Sequence, residues 1–219
     1  MARKKFNLIV FDWDGTLMDS TAAIVKSIQF AADSLGLPVP SRESAAYVIG
    51  LGLHEAMTML FPDADPALVA GMVEAYRRYY GRFSEELALF DGVRDMLDDL
   101  EARQCILAVA TGKSRQGLSD AMRQTDTARY FQVSRCADET HSKPHPAMLL
   151  EIMREVGKSA DHTIMIGDTT HDLLMASNAG TASAAVRYGA HTGEDFRRFG
   201  SLYEAGTVSQ LHHWLIDHA

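Results

Sequence analysis

The sequence predicts an α/β fold, in which a parallel sheet forms the core and helices cover both of its faces. Short apolar runs recur along the chain, and helical patterns separate most of them. A continuous apolar run of this kind is typical of a strand that is buried on both faces. Strands that alternate with helices indicate βαβ units, whose strands pair in parallel. One long stretch without strands interrupts this alternation and predicts an additional helical unit.

Five short apolar runs predict the strands of the sheet. The first, FNLIVF, ends directly before two aspartates that are separated by a single tryptophan. Two carboxylates at close range raise each other's pKa and destabilise the folded protein. A positively charged group is therefore expected near these aspartates. The five predicted strands span residues 6–11, 105–111, 132–137, 162–167 and 182–187.

Helical patterns fill the intervals between the later strands. In the first of them, Val93, Met96 and Leu100 fall on one face, as in an amphipathic helix that packs on a sheet. Proline opens the third pattern and glycine closes the fourth, which are common residues at helix starts and stops. The predicted core helices span residues 92–104, 114–125, 146–157 and 172–180.

A helical block separates the first predicted strand from the second. Between about residues 18 and 87 the sequence shows helical patterns and no convincing strand. We therefore predict a core domain of residues 1–17 and 88–219, and a cap domain of residues 18–87 that covers one edge of the sheet. The predicted cap helices span residues 21–36, 42–49, 53–61 and 66–83.

Composition and charge narrow the classes of function. Hydrophobic residues make up 47% of the 219 residues, enough for a buried core. The formal net charge of −8 argues against a nucleic-acid surface. No apolar run approaches the roughly 20 residues that span a membrane, and no signal peptide is evident. We expect a cytoplasmic protein whose two cysteines, Cys105 and Cys136, are reduced.

Polar side chains follow the predicted strands at the edge where active sites of open parallel sheets lie. Four separate segments of the chain deliver carboxylates, a hydroxyl and a lysine to that edge. Any one of these fragments is weak evidence, but all four in this order point to one catalytic site. The residues are Asp12 and Asp14 after the first strand, Thr111 after the second, Lys143 after the third, and Asp168 and Asp172 after the fourth.

Taken together, these segments resemble the four motifs of the haloacid dehalogenase superfamily. DWDGT resembles its first motif, Thr111 its second, Lys143 its third and GDTTHD its fourth. The helical insert is similar to the small cap of phosphoglycolate-phosphatase-like members, and the resemblance covers nearly the whole chain. It implies a Rossmann-like parallel core with an inserted helical cap.

The resemblance implies roles for four residues in phosphoryl transfer. Asp12 would be the nucleophile that forms an aspartyl-phosphate. Asp14 would be the general acid/base, which protonates the leaving oxygen and then activates water. Thr111 and the backbone N–H that follows it would hold phosphoryl oxygens, although Thr111 is also placed to cap the next helix. Lys143 would supply positive charge to Asp12 and to the phosphate.

The resemblance also implies a Mg²⁺ ion as cofactor. Its ligands would be Asp12, Asp168 and the backbone carbonyl of Asp14, because Mg²⁺ takes oxygen ligands and few carboxylates. Asp172 would orient Lys143 or a metal-bound water, and it is also placed to cap the helix that it begins.

Four further residues are candidates for contact with substrate. Gly15 and Thr16 would let the backbone turn closely around the phosphate. Gly112 would contribute its N–H beside Thr111. His54, in the predicted cap, is a candidate to face the cleft.

Several nearby residues are not assigned to the chemistry of phosphoryl transfer. Lys113 faces either the phosphate or solvent. Asp19 and Ser20 precede a helix and are expected to cap it. Trp13 has a position between two catalytic candidates that suggests shaping of the entrance, and His171 could contact substrate or serve the structure.

These features predict a Mg²⁺-dependent phosphatase that acts on a small phosphomonoester, with phosphoglycolate as the first candidate. Asp14 favours phosphoryl chemistry, because the dehalogenases of the superfamily usually lack it. Sugar phosphomutase and inorganic pyrophosphatase are the alternatives, and a non-enzymatic phosphate-binding protein is less favoured. The expected partner is a small phosphorylated metabolite, with no nucleic acid and no membrane. We expect a monomer, with a dimer left open.

Overall fold

The core of the protein is a six-stranded parallel sheet. A computed structural model describes residues 5–83, 87–192 and 196–219. The strands are β1 (Leu8–Phe11), β2 (Ile106–Thr111), β3 (Phe131–Cys136), β4 (Thr163–Gly167), β5 (Ala182–Val186) and β6 (Glu204–Ala205). They lie in the order β3-β2-β1-β4-β5-β6, which places β1 between β2 and β4. The α/β prediction is confirmed, and the five predicted strands are present within about two residues at their ends.

Helices connect the strands and also form the block after β1. In chain order they are α1 (Thr21–Ser34), α2 (Arg42–Tyr47), α3 (Leu53–Leu60), α4 (Pro66–Tyr80), α5 (Val93–Ala102), α6 (Arg115–Gln124), α7 (Ala147–Val156), α8 (Thr170–Ala179) and α9 (Val208–His218). Among the described residues, no helix is long and apolar enough to cross a bilayer.

The sheet is covered on both faces, as the continuous apolar strands require. Side chains of β1 alternate between two separate hydrophobic clusters. Ile9 and Phe11 lie in a cluster with buried residues of α5, α6 and α9. Leu8 and Val10 lie in a second cluster with buried residues of α7 and α8. Every side chain of β1 is therefore buried, and the strand can contribute chemistry only where it ends.

The block after β1 contains helices α1 to α4 and has a hydrophobic cluster of its own. Ile28 of α1, Met57 of α3 and Met72 of α4 are fully or almost fully buried in it. Among the described residues of this block, none belongs to a strand of the sheet. The division of the chain into two domains at residues 17 and 87 stays a prediction. Residues 84–86 of the predicted cap lie outside the described residues.

Two elements have no counterpart in the sequence prediction. Strand β6 has only two residues, too few to show a pattern. Helix α9 buries Val208, Leu211 and Leu215 against the sheet, but two histidines interrupt its apolar pattern. The two cysteines form no disulfide with each other, with Cys136 buried and Cys105 half-buried.

Candidate active site

The register of the sheet brings the predicted site residues together. Phe11, the last residue of β1, pairs with Val109 on one side and Ile166 on the other. The N–H of Asp12 still donates to the carbonyl of Ile166, at 2.8 Å. Asp12 therefore leaves the sheet between the ends of β2 and β4, beside the segments that carry Thr111 and Asp168.

Lys143 is the cation at the centre of the site. Its Nζ lies 2.7 Å from Asp12 Oδ1 and 2.7 Å from Asp172 Oδ1, and all three side chains are buried. Burial alone would lower the pKa of Lys143, but the charges of Asp12 and Asp172 raise it above its ordinary value. The lysine is therefore held in its charged form between two carboxylates. It is the positively charged group expected near the aspartates that follow β1.

One lysine does not balance the carboxylates that meet here. Asp12, Asp168 and Asp172 each have an oxygen within 4.8 Å of the others. Burial raises the pKa of Asp12 well above its ordinary value, against the opposing charge of Lys143. Burial, together with the charge of Asp172, raises the pKa of Asp168 to about 7. The cluster thus favours protons, or another cation, over three bare charges.

The donor set fits a divalent cation. Asp12 Oδ2 is buried and accepts no hydrogen bond from the residues that the structure describes. Asp172 uses one oxygen on Lys143 and the other on Thr169, whereas Asp168 accepts from a hydroxyl and a backbone N–H, which do not cancel its charge. Asp12 and Asp168 are therefore the carboxylates best placed to bind a metal. Buried carboxylate oxygens without donors are the ligands that hard cations such as Mg²⁺ prefer.

Asp168 is held in place by two loops that follow other strands. The Thr16 hydroxyl donates to Asp168 Oδ1 at 3.0 Å, and the Ala190 N–H donates to Oδ2 at 2.6 Å. A Cβ added at Gly15 or at Gly189 would lie only 2.2 or 2.1 Å from the same Oδ2. Both backbones therefore approach closer than any side chain allows. The Thr16 hydroxyl supports Asp168 here, so its predicted contact with substrate stays a prediction.

Asp172 carries out both of the roles that the sequence left open. Its Oδ2 accepts from the N–H of Thr169 at 3.1 Å and from the Thr169 hydroxyl at 2.7 Å. Its own N–H donates to Thr169 Oγ1 at 3.4 Å, which completes a capping box at the start of α8. Its other oxygen faces Lys143. The cap of α8 therefore fixes the carboxylate that orients the lysine.

Asp14 has a separate set of partners. The Ser20 hydroxyl donates to Asp14 Oδ1 at 2.6 Å, and Lys113 Nζ lies 3.1 Å from Oδ2. Lys113 thus faces Asp14 in this structure, which is neither of the alternatives considered from the sequence. The expected capping by Asp19 or Ser20 is wrong, because Asp19 is exposed and Ser20, although at the N-cap position of α1, directs its hydroxyl to Asp14.

The second predicted motif lies against the cap. Thr111 is buried, and its hydroxyl accepts from the N–H of Lys113 at 3.2 Å. Ser114 caps α6, so the rival capping role of Thr111 is wrong. A Cβ at Gly112 would lie 2.3 Å from the carbonyl oxygen of Leu51. The cap segment therefore sits directly on the predicted phosphate-binding turn.

Three further contacts close the cap segment over the sheet edge. The N–H of Gly52 donates to Ser142 Oγ at 2.7 Å, beside Lys143. The Tyr47 carbonyl lies 2.8 Å from His171 Nε2 and 3.0 Å from His191 Nε2. Residues of the predicted cap therefore lie against the segments that carry Lys143 and Asp168.

The two histidines connect α8 and the loop after β5 to Tyr47, the last residue of α2. The Thr170 N–H donates to His191 Nδ1 at 3.1 Å, so the proton of His191 is at Nε2 and is donated to Tyr47. Burial lowers the pKa of His171, which favours the neutral ring beside the same carbonyl. His191 has no signal in the sequence, since its role depends on where the cap lies.

Two candidates from the sequence lie away from the carboxylates. Trp13 is fully buried, with its ring at 66° to that of Phe131 and its Nε1 3.1 Å from Met18 Sδ. It is a core residue, and the suggestion that it shapes the entrance is wrong. His54 is exposed, and its ring contacts Thr58 on the same helix. A substrate-binding role of His54 stays a prediction.

Comparison with known proteins agrees with this geometry. The profile of the family described as haloacid dehalogenase-like hydrolase matches residues 9–186. The chain belongs to this family. A Dickeya dadantii protein named Probable phosphatase IndB is 36% identical over 197 residues, which cover 87% of this chain and 85% of that protein.

Two other relatives carry more specific names. The phosphoglycolate phosphatase of Escherichia coli is 30% identical, over 85% of this chain and 83% of the relative. Pyrophosphatase PpaX of Halalkalibacterium halodurans is 30% identical, over 94% and 95%. A solved hydrolase structure from Pseudomonas syringae, 20% identical, covers 97% of this chain and 99% of its own with a TM-score of 0.89, which shows the shared fold. The protein is therefore a hydrolase of this family, with relatives named as phosphatases.

Proposed function

We propose that the protein is a Mg²⁺-dependent phosphatase that hydrolyses a small phosphomonoester through an aspartyl-phosphate on Asp12. One observation carries this proposal. Lys143 and the end of β1 hold Asp12 in a buried position beside Asp168, with one oxygen on the lysine and the other without a donor among the described residues. A carboxylate held in this way is oriented for attack and accessible to a cation.

The residues of the chain divide the chemistry between them. Asp12 attacks phosphorus, and the bond to the leaving oxygen breaks as the bond to Asp12 forms. Asp14 gives a proton to that oxygen and then takes one from the water that hydrolyses the aspartyl-phosphate. Thr111 and the N–H of Gly112 bind phosphoryl oxygens, and Lys143 keeps Asp12 in position.

A Mg²⁺ ion would be held by Asp12, Asp168 and the carbonyl of Asp14. Bound there, it supplies positive charge to the phosphoryl oxygens and to the carboxylates. Hydrolysis of phosphate monoesters is so slow without an enzyme that accelerations of up to ~10²¹-fold are needed. One donor supplies only about 3–4 kcal/mol, so cation, lysine, nucleophile and acid must act together.

The cap favours a small leaving group. Leu51 and Gly112 are in contact, and Gly50 lies against Thr169, so little space separates the cap segment from the motifs. Phosphoglycolate is the first candidate substrate, supported by the name of the Escherichia coli relative. We place the reaction in the cytoplasm and the enzyme as a monomer that acts on free metabolites, without nucleic acid or membrane.

A panel of phosphate esters and phosphoanhydrides, assayed with and without Mg²⁺, tests the proposal. It includes phosphoglycolate, acetyl phosphate, pyrophosphate and sugar phosphates, and product analysis distinguishes hydrolysis from transfer within a sugar. We expect Asp12→Asn to abolish turnover and Asp19→Asn, at an exposed aspartate in the same segment, to retain it. Appreciable turnover by Asp12→Asn would refute the nucleophile assignment. Pyrophosphate as the preferred substrate would favour the activity named for the Halalkalibacterium relative.

A further inference from the structure

The cap contributes one polar contact to the partners of Asp14. Tyr80 is the last residue of α4, and its hydroxyl accepts a hydrogen bond from Lys113 Nζ at 3.2 Å. The same Nζ lies 3.1 Å from Asp14 Oδ2. Lys113 thus bridges a tyrosine of the cap and the predicted acid/base of the core.

The bridge is mostly shielded from solvent and is supported on both sides. The side chains of Lys113 and Asp14 are each 11% exposed. The ring of Tyr76 stacks on that of Tyr80 at 5.6 Å and 10°, which fixes the phenol from within α4. On the core side, the N–H of Lys113 donates to Thr111 Oγ1, and the second oxygen of Asp14 accepts from Ser20. Tyr80, Lys113 and Asp14 are therefore each held by at least one further contact.

We propose that Tyr80 is a positioning residue, which acts through Lys113 to aim the Asp14 carboxyl at the leaving oxygen when the cap is closed. Tyr80 belongs to the cap, whereas Lys113 and Asp14 belong to the core. The contact exists only while α4 lies over the sheet edge, so closure of the cap completes the orientation of Asp14. This inference rests on the proposed phosphatase activity and adds a cap residue to its acid step.

Leaving groups that differ in their need for a proton test this role. An alkyl phosphate such as phosphoglycolate expels an alkoxide, which the acid must protonate, whereas acetyl phosphate expels acetate, a stable carboxylate that needs no proton. The two substrates, one an ester and the other a mixed anhydride, are similar in size, so both fit beneath the same cap. The ratio kcat/KM reports the steps up to release of the leaving group, and hydrolysis of the aspartyl-phosphate does not enter it.

We expect Tyr80→Phe to lower kcat/KM about tenfold for the best alkyl phosphate of the panel, which corresponds to about 1.4 kcal/mol. For acetyl phosphate, corrected for its spontaneous hydrolysis, the loss should stay below about twofold. Tyr79→Phe is the matched control, because it removes a hydroxyl from the same helix on a ring that stacks on Phe30 instead. We expect it to change neither value.

A second comparison shows whether Tyr80 acts through Lys113. In a Lys113→Met background, Tyr80→Phe should have no further effect on the alkyl phosphate, since the bridge is already lost. Three results would each overturn the inference while leaving the phosphatase activity intact: an equal loss of kcat/KM for both substrates, no loss for either, or additive effects of the two substitutions. A wild-type protein that hydrolyses no phosphate ester overturns the proposed function, and the inference with it.

Discussion

Replacing Lys143 with methionine should destabilise the protein by about 3–5 kcal/mol near pH 8. Methionine has a similar length and no charge, so the change removes the cation while filling most of the same space. Lys143 Nζ lies 2.7 Å from both Asp12 and Asp172. The substitution therefore leaves two buried carboxylates without their shared partner.

The magnitude follows from burial. The side chains of Lys143 and Asp172 are 0% exposed and that of Asp12 is 1% exposed, so solvent cannot screen the charges that remain. Removing one partner of a buried pair costs about 3–5 kcal/mol, because the other charge stays desolvated. Asp168 lies in the same cluster and adds to the repulsion.

The loss should depend on pH with a definite sign. Burial already raises the pKa of Asp12 in the folded protein, and loss of the lysine removes the charge that opposes this rise. Above about pH 4, the folded variant then binds more protons than the unfolded chain, so its stability falls as the pH rises. The difference from wild type should be larger at pH 8 than at pH 5.

Urea unfolding at the two pH values, in buffer with a chelator, measures these differences. Fluorescence of Trp13 and Trp214 reports on the core, where both side chains pack. Lys26→Met, at an exposed lysine of α1, is the control and should change stability by less than about 0.5 kcal/mol. A loss below about 1 kcal/mol at pH 8, or a larger loss at pH 5, would show that Lys143 does not balance these carboxylates.

Three further predictions concern the metal site, a turn and a cap contact. Millimolar Mg²⁺ should raise the thermal unfolding midpoint of the wild type but not of Asp168→Asn, and an equal shift in both would place the cation elsewhere. Gly15→Ala should destabilise by about 1–3 kcal/mol in urea unfolding, because the residue has a φ of +80° and its new Cβ would clash with Asp168; an unchanged midpoint would contradict this. The folded pKa of His171 lies below its ordinary value near 6.5, so this group costs stability as the pH falls below about 6.5. His171→Asn should abolish this part of the pH dependence of the unfolding free energy. A difference in unfolding free energy between wild type and variant that stays constant from pH 5 to 8 would contradict the prediction.

Much of the fold could be predicted because its determinants are local. Strands such as β1 and β4 are buried on both faces, so their sequences are continuously apolar and stand out from the amphipathic helices between them. Helix α9 is not predicted because histidines interrupt its apolar pattern, and β6 is not predicted because two residues are too few to show a periodic pattern. Predicted helices mostly run one to three residues too long, since the ends of helices are set by caps rather than by the apolar stripe.

The site divides in the same way. Asp12, Lys143 and Asp168 could be predicted because parallel strands deliver their ends to one edge of the sheet. The contacts that link Asp14 to Lys113 and Lys113 to Tyr80 could not, because they depend on the tertiary packing of α4 near the end of β2. No periodic pattern in the sequence predicts the contact between Tyr80 and Lys113. The close approach of Gly189 to Asp168 was missed for the same reason, since it depends on where a loop after β5 returns.

The spacing of Asp12 and Asp14 explains how two neighbouring carboxylates serve different steps. Trp13 is anchored in the hydrophobic core, so the residues on either side of it can both face the end of the sheet. Asp12 lies deeper and faces Lys143, whereas Asp14 lies at the rim and faces Lys113 and Ser20. Asp12 and Asp14 thus contact different lysines, so the two neighbouring carboxylates lie in separate electrostatic environments. A nucleophile must stay ionised and an acid must exchange a proton, and separate partners allow both conditions to hold at two positions that are only two residues apart in the chain.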